Sequence, residues 1–479
     1  MIDGLKPYPA MKVSGVLWLG EVPEHWGVLP NRVIFDEIKE RDRPEADMLS
    51  VTITKGVIRQ QTLLEDSSKK DGSKLDRSAY KFVRPGDIAY NKMRAWQGAV
   101  GVSEFEGIIS PAYVVERPRE GADPHYLHHL LRTPAFAKEA ERWSYGITSD
   151  MWSLRPEHFK MIYSCLPPLP EQAAIVRFLN HADRKIRRYI RAKQKLIKLL
   201  EEQKQAIIHR AVTHGLDPNV PLKDSGISWL GEIPGHWEIW RISRFATVGN
   251  GSTPSRGESK YWSSSDYPWL NSSQINRGLI DSADQFVSML ALNECHLPKV
   301  TPGSVLVAIT GQGRTRGKSA ILAIEATINQ HIAYLSLRLQ IASPEFLNLV
   351  LTAAYTHLRS ISDDSGSTKG ALTCEDLKRL KIPVPPHEEQ RVLLASTHSA
   401  TTETINTISR LESEIVLLRE YRTRLIADVV TGKLDVREAA AQLPDDEQDT
   451  HRLDELDEIS DPEEDPLDDL LESPEEPEQ

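Results

Sequence analysis

The chain states its own frame twice, and that repetition bounds the fold. Trp18-Leu19-Gly20-Glu21-Val22-Pro23-Glu24-His25-Trp26 returns as Trp229-Leu230-Gly231-Glu232-Ile233-Pro234-Gly235-His236-Trp237, identical at seven of nine positions and displaced by 211 residues (229 − 18). A second box, Leu166-Pro167-Pro168-Leu169-Pro170-Glu171-Gln172, returns as Val384-Pro385-Pro386-His387-Glu388-Glu389-Gln390, displaced by 218 (384 − 166). The 218 offset also relates Val212-Thr213 and Leu216-Asp217 to Val430-Thr431 and Leu434-Asp435. Between these anchors the similarity is faint: Pro85-Gly86 with Pro302-Gly303, and Ala112-Tyr113 with Ala333-Tyr334. Such a period is far too long for a solenoid. It describes a duplicated unit whose frame was kept while its middle diverged.

Each proline box opens a long helix, since proline fits a helix start and a first-turn glutamate suits the positive end of the dipole. In the first, Ile175, Leu179, Ala182, Ile186, Tyr189, Lys193, Leu196, Leu200, Gln203 and Ile207 alternate spacings of four and three, the pattern of a heptad seam. In the second, Ile408, Leu411, Ile415, Leu418, Arg422, Leu425 and Val429 keep that rhythm, while Ser396 to Thr407 is Thr/Ser-rich and pairs less firmly. The two seams are expected to pack on one another, with packing of each helix on its own domain as the alternative. Residues 177–210 carry eleven Lys/Arg against three Asp/Glu, and residues 388–430 carry five against seven, so opposite charge favours the mixed pair. The middles read as mixed α/β. Ser304 to Thr310 and Asp87 to Tyr90 are strand runs after matching Pro-Gly turns, and Tyr126 to Ala140 and Glu345 to Leu358 are helical.

The formal charge of −11 argues at first against a nucleic-acid partner. Residues 443–479, however, hold 18 acidic residues and one basic one, a net of −17, which leaves the rest at −11 − (−17) = +6. That tail, with five prolines and few aromatics, reads as a solvated unstructured segment; a sharper reading has it compete with phosphates for the basic domains. No apolar run approaches a membrane span, and no signal-peptide core opens the chain. Cys165, Cys295 and Cys374 are too far apart for a zinc ribbon or a CxxC pair, so a reducing, cytoplasmic setting is expected.

Several chemistries are missing. Gly311 to Ser319 ends like a phosphate loop, but Gln312 stands where the pattern requires glycine. His125 and His129 share a helical face, yet Tyr126 occupies the place of the glutamate a zinc protease needs. No amino-methyltransferase motif, glycine-rich cofactor loop or nuclease carboxylate cluster is present, and no catalytic or metal-binding residue is assigned. Basic residues at matching places in the two middles remain. Residues 69–94 hold Lys69, Lys70, Lys74, Arg77, Lys81, Arg84, Lys92 and Arg94, followed by Trp96. Arg314, Arg316 and Lys318 directly follow the matching strand, and Arg256, Lys260, Tyr261 and Trp262 form another cluster. Asn271, Ser272, Ser273, Gln274, Asn276 and Arg277 are types able to bond base edges or phosphates. Solvated loops explain any one cluster equally well; recurrence at matching places favours DNA.

These boxes resemble the specificity subunit of type I restriction–modification systems. The resemblance is carried by the two Trp-Leu-Gly-Glu boxes, by Pro167-Pro168-Leu169-Pro170-Glu171-Gln172, and by Val429-Val430-Thr431-Gly432-Lys433-Leu434-Asp435 after the second helix. Gly251 to Arg256, Tyr261-Trp262 and Pro268-Trp269-Leu270 resemble a frequent opening of the family's recognition domains. The resemblance spans Leu17 to about Glu438. It implies a mixed α/β (α+β) fold with a pseudo-two-fold internal repeat: two globular target-recognition domains separated by an antiparallel pair of long coiled-coil helices. The corresponding segments are 1–26, recognition domain 27–168, helix 169–214, linker 215–236, recognition domain 237–385, helix 386–432 and tail 433–479. Each domain would read one half of a bipartite, non-palindromic site in double-stranded DNA, and the helices would set the unread spacer. The expected DNA contacts are Lys92, Arg94, Arg256, Lys260, Asn271, Ser273, Gln274, Arg314, Arg316, Lys318 and Lys369, with Arg184, Arg187, Arg188 and Arg191 on spacer phosphates. The resemblance further implies two modification subunits and restriction subunits as partners. They would bring S-adenosylmethionine, ATP and Mg chemistry, with no cofactor, catalysis or membrane contact in this chain. His214 stands opposite Gly432, so the first helix is expected to end differently. Two other classes stay open: a stand-alone methyltransferase or nuclease, active without partners, and a coiled-coil protein that binds no DNA.

Overall fold

The computed structural model describes residues 5–41, 43–61, 77–146, 152–311, 313–363 and 370–444. Lys69, Lys70, Lys74, Lys369 and nearly all of the acidic tail lie outside them. The chain divides into two compact units, Met1–Ala192 with Glu414–Gln479, and Lys193–Ser413. The cuts fall inside the two long helices, so each unit combines pieces of both sequence repeats.

In the first unit, Gly27–Pro30 pairs antiparallel with Tyr163–Leu166, which joins the domain to the start of the first long helix. One helical turn, Asn31–Ile34, leads into an antiparallel sheet ordered Phe35–Ile38, Tyr113–Pro118, Ile88–Asn91, Val100–Val102. The second unit repeats the plan. Glu238–Arg241 pairs with Lys381–Val384, the turn Ile242–Phe245 follows, and the sheet runs Ala246–Asn250, Ile332–Leu337, Val305–Ala308, Ser319–Leu322. There Leu279–Ile280 adds a fifth, parallel strand. Gly86 and Gly303, with φ of +89° and +82°, turn the chain into the matching central strands.

The ladder register corrects one expected equivalence. Glu116 lies opposite Ile88 and Leu335 opposite Val305, an offset of 219 (335 − 116). Tyr113 therefore matches Ile332, and the Ala112-Tyr113/Ala333-Tyr334 pairing is two residues out. The helical stretches are also divided. Pro124–Leu131 stops before Pro134–Arg142, because Thr133 caps a new start by accepting from the Phe136 amide at 3.2 Å. Pro344–Ala353 is likewise followed by a separate Tyr355–Asp363.

The first long helix, Leu169–His214, has 46 residues and the second, His387–Val430, has 44, so each is about 65–70 Å long at 1.5 Å per residue. Within each unit the segments run antiparallel. In the first, Ile175, Phe178, Leu179 and Ala182 pack in one core with Leu425, Val429 and Val430. In the second, Ile208, Ala211 and Val212 share a core with Leu393. The expected seam of the first helix holds only through Ile186. Tyr189 and Leu196 are 50% and 43% exposed, and burial resumes at Ile208 rather than Gln203 and Ile207. The second helix does better than its composition suggests, because Thr397 and Thr401 are buried on the stripe that continues through Ile408 and Ile415. Threonine tolerates that place because its hydroxyl bonds back to the preceding turn, as Thr401 does to the Thr397 carbonyl at 2.8 Å.

The repeated boxes form one clasp, built twice. Glu171 accepts from the Trp26 indole at 3.0 Å and lies 2.8 Å from His25 Nε2; Glu389 accepts from Trp237 at 3.0 Å and lies 2.8 Å from His236 Nε2. The adjacent glutamines donate to the carbonyls of Gly121 and Pro167, and of Ile341 and Pro385, which fixes each helix start to its domain. Both helix ends close on glycine. Gly215 (φ +71°) and Gly432 (φ +77°) follow the last turns, so the expected difference at His214 reduces to a one-residue shift. Gly215 packs against Trp237, and Gly432 against Pro23 and Trp26.

Candidate nucleic-acid interface

The two sheets present basic residues at the same hairpin. In the first unit, Lys92 and Arg94 occupy the turn between Ile88–Asn91 and Val100–Val102. Asn91 shapes that turn by accepting from the Met93 amide at 3.0 Å, and the Leu154 amide donates to the Lys92 carbonyl at 2.9 Å. Their neighbours in the sequence cluster serve the fold. Lys81 is buried and donates to the Tyr113 carbonyl at 2.6 Å, and Arg84 pairs with Glu40 at 3.0 Å. Burial, reinforced by the nearby Lys92, pushes the Lys81 ammonium below its usual range.

In the second unit, Arg314, Arg316 and Lys318 lie between Val305–Ala308 and Ser319–Leu322. The turn is fastened from several sides. Tyr355 Oη donates to the Arg314 carbonyl at 3.0 Å and Arg359 to that of Gly313 at 2.7 Å. Asn276 donates to Thr315 Oγ1 at 3.2 Å and accepts from Lys318 Nζ at 3.0 Å. Arg314 is exposed, but Arg316 is buried, only 4% exposed. Lys318 is exposed, with its ammonium held on Asn276. Partial burial lowers its pKa, with Glu201 opposing and Lys204 and Arg314 adding to the decrease.

The polar run beside that turn mostly caps itself. Asn271 accepts from the Ser273 amide at 3.0 Å and from its hydroxyl at 2.5 Å, while Gln274, buried, accepts from the Asn271 amide at 3.2 Å. This capping box starts the 3₁₀ helix Ser272–Arg277. Gln274 and Arg316 are thus interior residues, a departure from the surface position expected of them, and for Gln274 the cap geometry claims the side chain. Arg277 pairs with Asp284 at 2.7 Å. Arg256 is exposed, stacks over Trp262 at 3.9 Å from the ring centroid, and donates to Gln285 at 3.0 Å. Lys260 pairs with Glu294 at 3.1 Å.

On the first long helix, Arg187, Arg188 and Arg191 are exposed and Arg184 is half-buried. Asp183 receives Arg187 at 2.8 Å and also Arg422 of the second helix. Burial alone would raise that carboxyl, but the two guanidinium groups outweigh it and hold it below the usual carboxylate range. The sequence suggested only a first-turn helix role for Glu171 and none for Glu389 or the His-Trp pairs, although their joint repetition at two different offsets was the available signal. The proximity of Lys318 to Glu201 and Lys204 had no sequence signal.

A family model described as the type I restriction modification DNA specificity domain matches residues 234–415. The MjaX type I restriction enzyme specificity subunit of Methanocaldococcus jannaschii is 24% identical over 443 residues, covering 88% of this chain and 96% of that protein. Along most of its length the chain is thus similar to a type I specificity subunit. The EcoR124I/EcoR124II specificity subunit of Escherichia coli is 23% identical over 204 residues, 42% of this chain and 47% of its own length. A solved structure, described as the structural basis of complex assembly and conformational transition of the type I R-M system, shares the fold. Its TM-score is 0.60 at 18% identity, over 86% of this chain and 99% of the other. Among the described residues no helix is long and apolar enough to cross a membrane, and no group of three or more His, Cys, Asp or Glu could hold a metal ion.

Proposed function

We propose that this chain reads DNA for a type I restriction–modification complex, each domain reading one half of a bipartite, non-palindromic site. One observation carries the reading: two sheets of the same strand order present basic turns at the same hairpin, with different residues in each. A shared frame places both readers alike, and divergent side chains give them different half-sites. Lys92 and Arg94 serve the first half-site. Arg314, Arg256 and Lys318, with Asn271 and Ser273 at the cap and Lys260 beside them, serve the second. Gln274 and Arg316 support these surfaces from within. Lys369, outside the described residues, completes the second set. The exposed arginines of the first helix meet phosphates of the unread spacer, whose length the long helices set.

Methyl transfer with S-adenosylmethionine, and ATP- and Mg-dependent translocation and cleavage, belong to two modification subunits and to restriction subunits that assemble on this chain in the cytoplasm. Co-expression with the modification subunits, followed by mapping of methylated adenines, tests the proposal. The expected product is methylation at one bipartite, asymmetric sequence, and Arg314→Ala should relax only one half of it. Methylation at a palindrome, or relaxation of both halves together, would refute the assignment.

A further inference from the structure

Three connections meet at one end of the second domain's sheet. The loop to Arg256 follows Ala246–Asn250, and the turn that bears Lys318 follows Val305–Ala308. The short turn 329–331 enters Ile332–Leu337, whose Ile332 and Ala333 lie opposite Ala308 and Asn250. Its side chains tie the other two connections together. The Thr253 hydroxyl donates to Gln330 Oε1, and Gln330 Nε2 lies 3.1 Å from His331 Nε2. An amide nitrogen can only donate, so Nε2 accepts and the ring proton sits on Nδ1, 2.5 Å from Thr310 Oγ1. Gln330 is nevertheless exposed.

The first domain makes the same turn without these side chains. At the strand offset of 219, its residues are Ser110, Pro111 and Ala112. Ser110 Oγ accepts from the Ala112 amide at 3.4 Å, as Asn329 Oδ1 accepts from the His331 amide at 3.0 Å. The next amides, of Tyr113 and Ile332, bond back to the Ser110 and Asn329 carbonyls at 3.0 and 3.3 Å. Pro111 and Ala112 are exposed and bring no side-chain donor or acceptor. The backbone turn therefore does not need a glutamine and a histidine at its tip.

We propose that Gln330 reads an adenine of the second half-site, with Thr253 and His331 as its positioning residues. The inference rests on the DNA-reading assignment above and names a base-contacting side chain within it. The bonds to Thr253 and His331 leave one hydrogen and one lone pair on the Gln330 amide. Adenine N7 and N6 call for that pair in the major groove. An exposed glutamine ordinarily samples many rotamers, and ordering it costs entropy when a partner arrives. Here the two bonds hold the amide beforehand, which lowers the cost of binding and favours one base over the others. The tip that Pro111 and Ala112 form in the first domain offers no such contact, so the two half-sites are read differently at this shared turn.

The test uses the full chain co-expressed with its modification subunits and reads the sequences around methylated adenines in host DNA. Gln330→Ala should lower discrimination about tenfold at one A·T pair of one half-site, leaving every other position and the melting profile unchanged. Gln330→Glu, of the same shape but with acceptors only, should disfavour adenine at that pair and admit cytosine, and it decides the matter if alanine disturbs the turn. Thr253→Val should loosen the same pair more weakly, and Thr253→Ser, which restores the hydroxyl, should recover it. A threonine that only supported the fold would instead lower methylation at all positions alike, and that result would remove its positioning role. An unchanged site in both Gln330 variants, or loosening of both half-sites together, would overturn the role of Gln330 and leave the bipartite site standing. If the native chain directs methylation to no bipartite site, the DNA-reading assignment falls and this inference falls with it.

Discussion

Glu171 and Glu389 do the same job in unequal surroundings. Both accept from a tryptophan and face a histidine, but Glu171 also accepts from Tyr8 Oη at 2.5 Å and is 6% exposed, against 30% for Glu389. Asn219 stands at the place of Tyr8 (8 + 211) and bonds Asp217 instead. Burial, and then the bond to Glu171, drive the Tyr8 phenol well above its usual range. Glu171→Gln should therefore cost about 2–4 kcal/mol and Glu389→Gln about 1 kcal/mol, read as shifts in denaturation midpoint.

Glu116 is a different case. It is fully buried, and burial raises its pKa to about 8, with Lys160 opposing, Glu37 and Asp36 adding, and Lys81 opposing. The folded state thus keeps a proton that the unfolded chain releases near its ordinary value of 4.5. Stability falls as pH rises between those two values and levels off above the higher one. Glu116→Gln, which imitates the protonated acid, should match the native protein near the lower value. Near the upper one it should be more stable by roughly 4 kcal/mol, measured as unfolding free energy across pH.

Helix ends show how side-chain-free positions divide the load. An alanine at either Gly215 or Gly432 must adopt positive φ, which costs about 1–3 kcal/mol. At Gly215 the new methyl meets Trp237 at 3.3 Å, whereas at Gly432 it overlaps the Pro23 ring. Gly432→Ala should lower the melting temperature clearly more than Gly215→Ala, and equal effects would contradict the packing described. The starts of these helices were legible in the sequence because proline and a first-turn glutamate mark them, whereas the clasp and the shared glycine ends emerge only when distant residues meet. The course between them was less so. Tyr189 and Leu196 satisfy a heptad on paper yet lie exposed, because apolar spacing records what can face a partner and not whether one is there. Ala112-Tyr113 matched Ala333-Tyr334 in letters, while strand register follows backbone hydrogen bonds and settles two residues away. The candidate surface was half legible: composition locates basic turns, but whether Gln274 or Arg316 faces outward depends on cap and turn geometry.

At the scale of the molecule, charge is partitioned rather than averaged. The −11 total conceals a body of +6, and the first helix contributes an exposed arginine face to it. Reversing Arg184, Arg187, Arg188 and Arg191 to Glu should weaken binding to all DNA sequences alike and flatten the dependence of log K on log salt by up to about 3–4. A preserved slope in salt titrations would exclude this face from phosphate contact.

The crossed helix ends carry a consequence for how such a chain can arise. The first repeat supplies the glycine that covers the tryptophan of the second, and the second supplies the one that covers the first. A solitary repeat would leave one indole bare and one helix end unseated, and a twin would remedy both faults at once. Joining two such repeats into one gene invents no new interface; it makes a pairing permanent and frees the two domains to diverge.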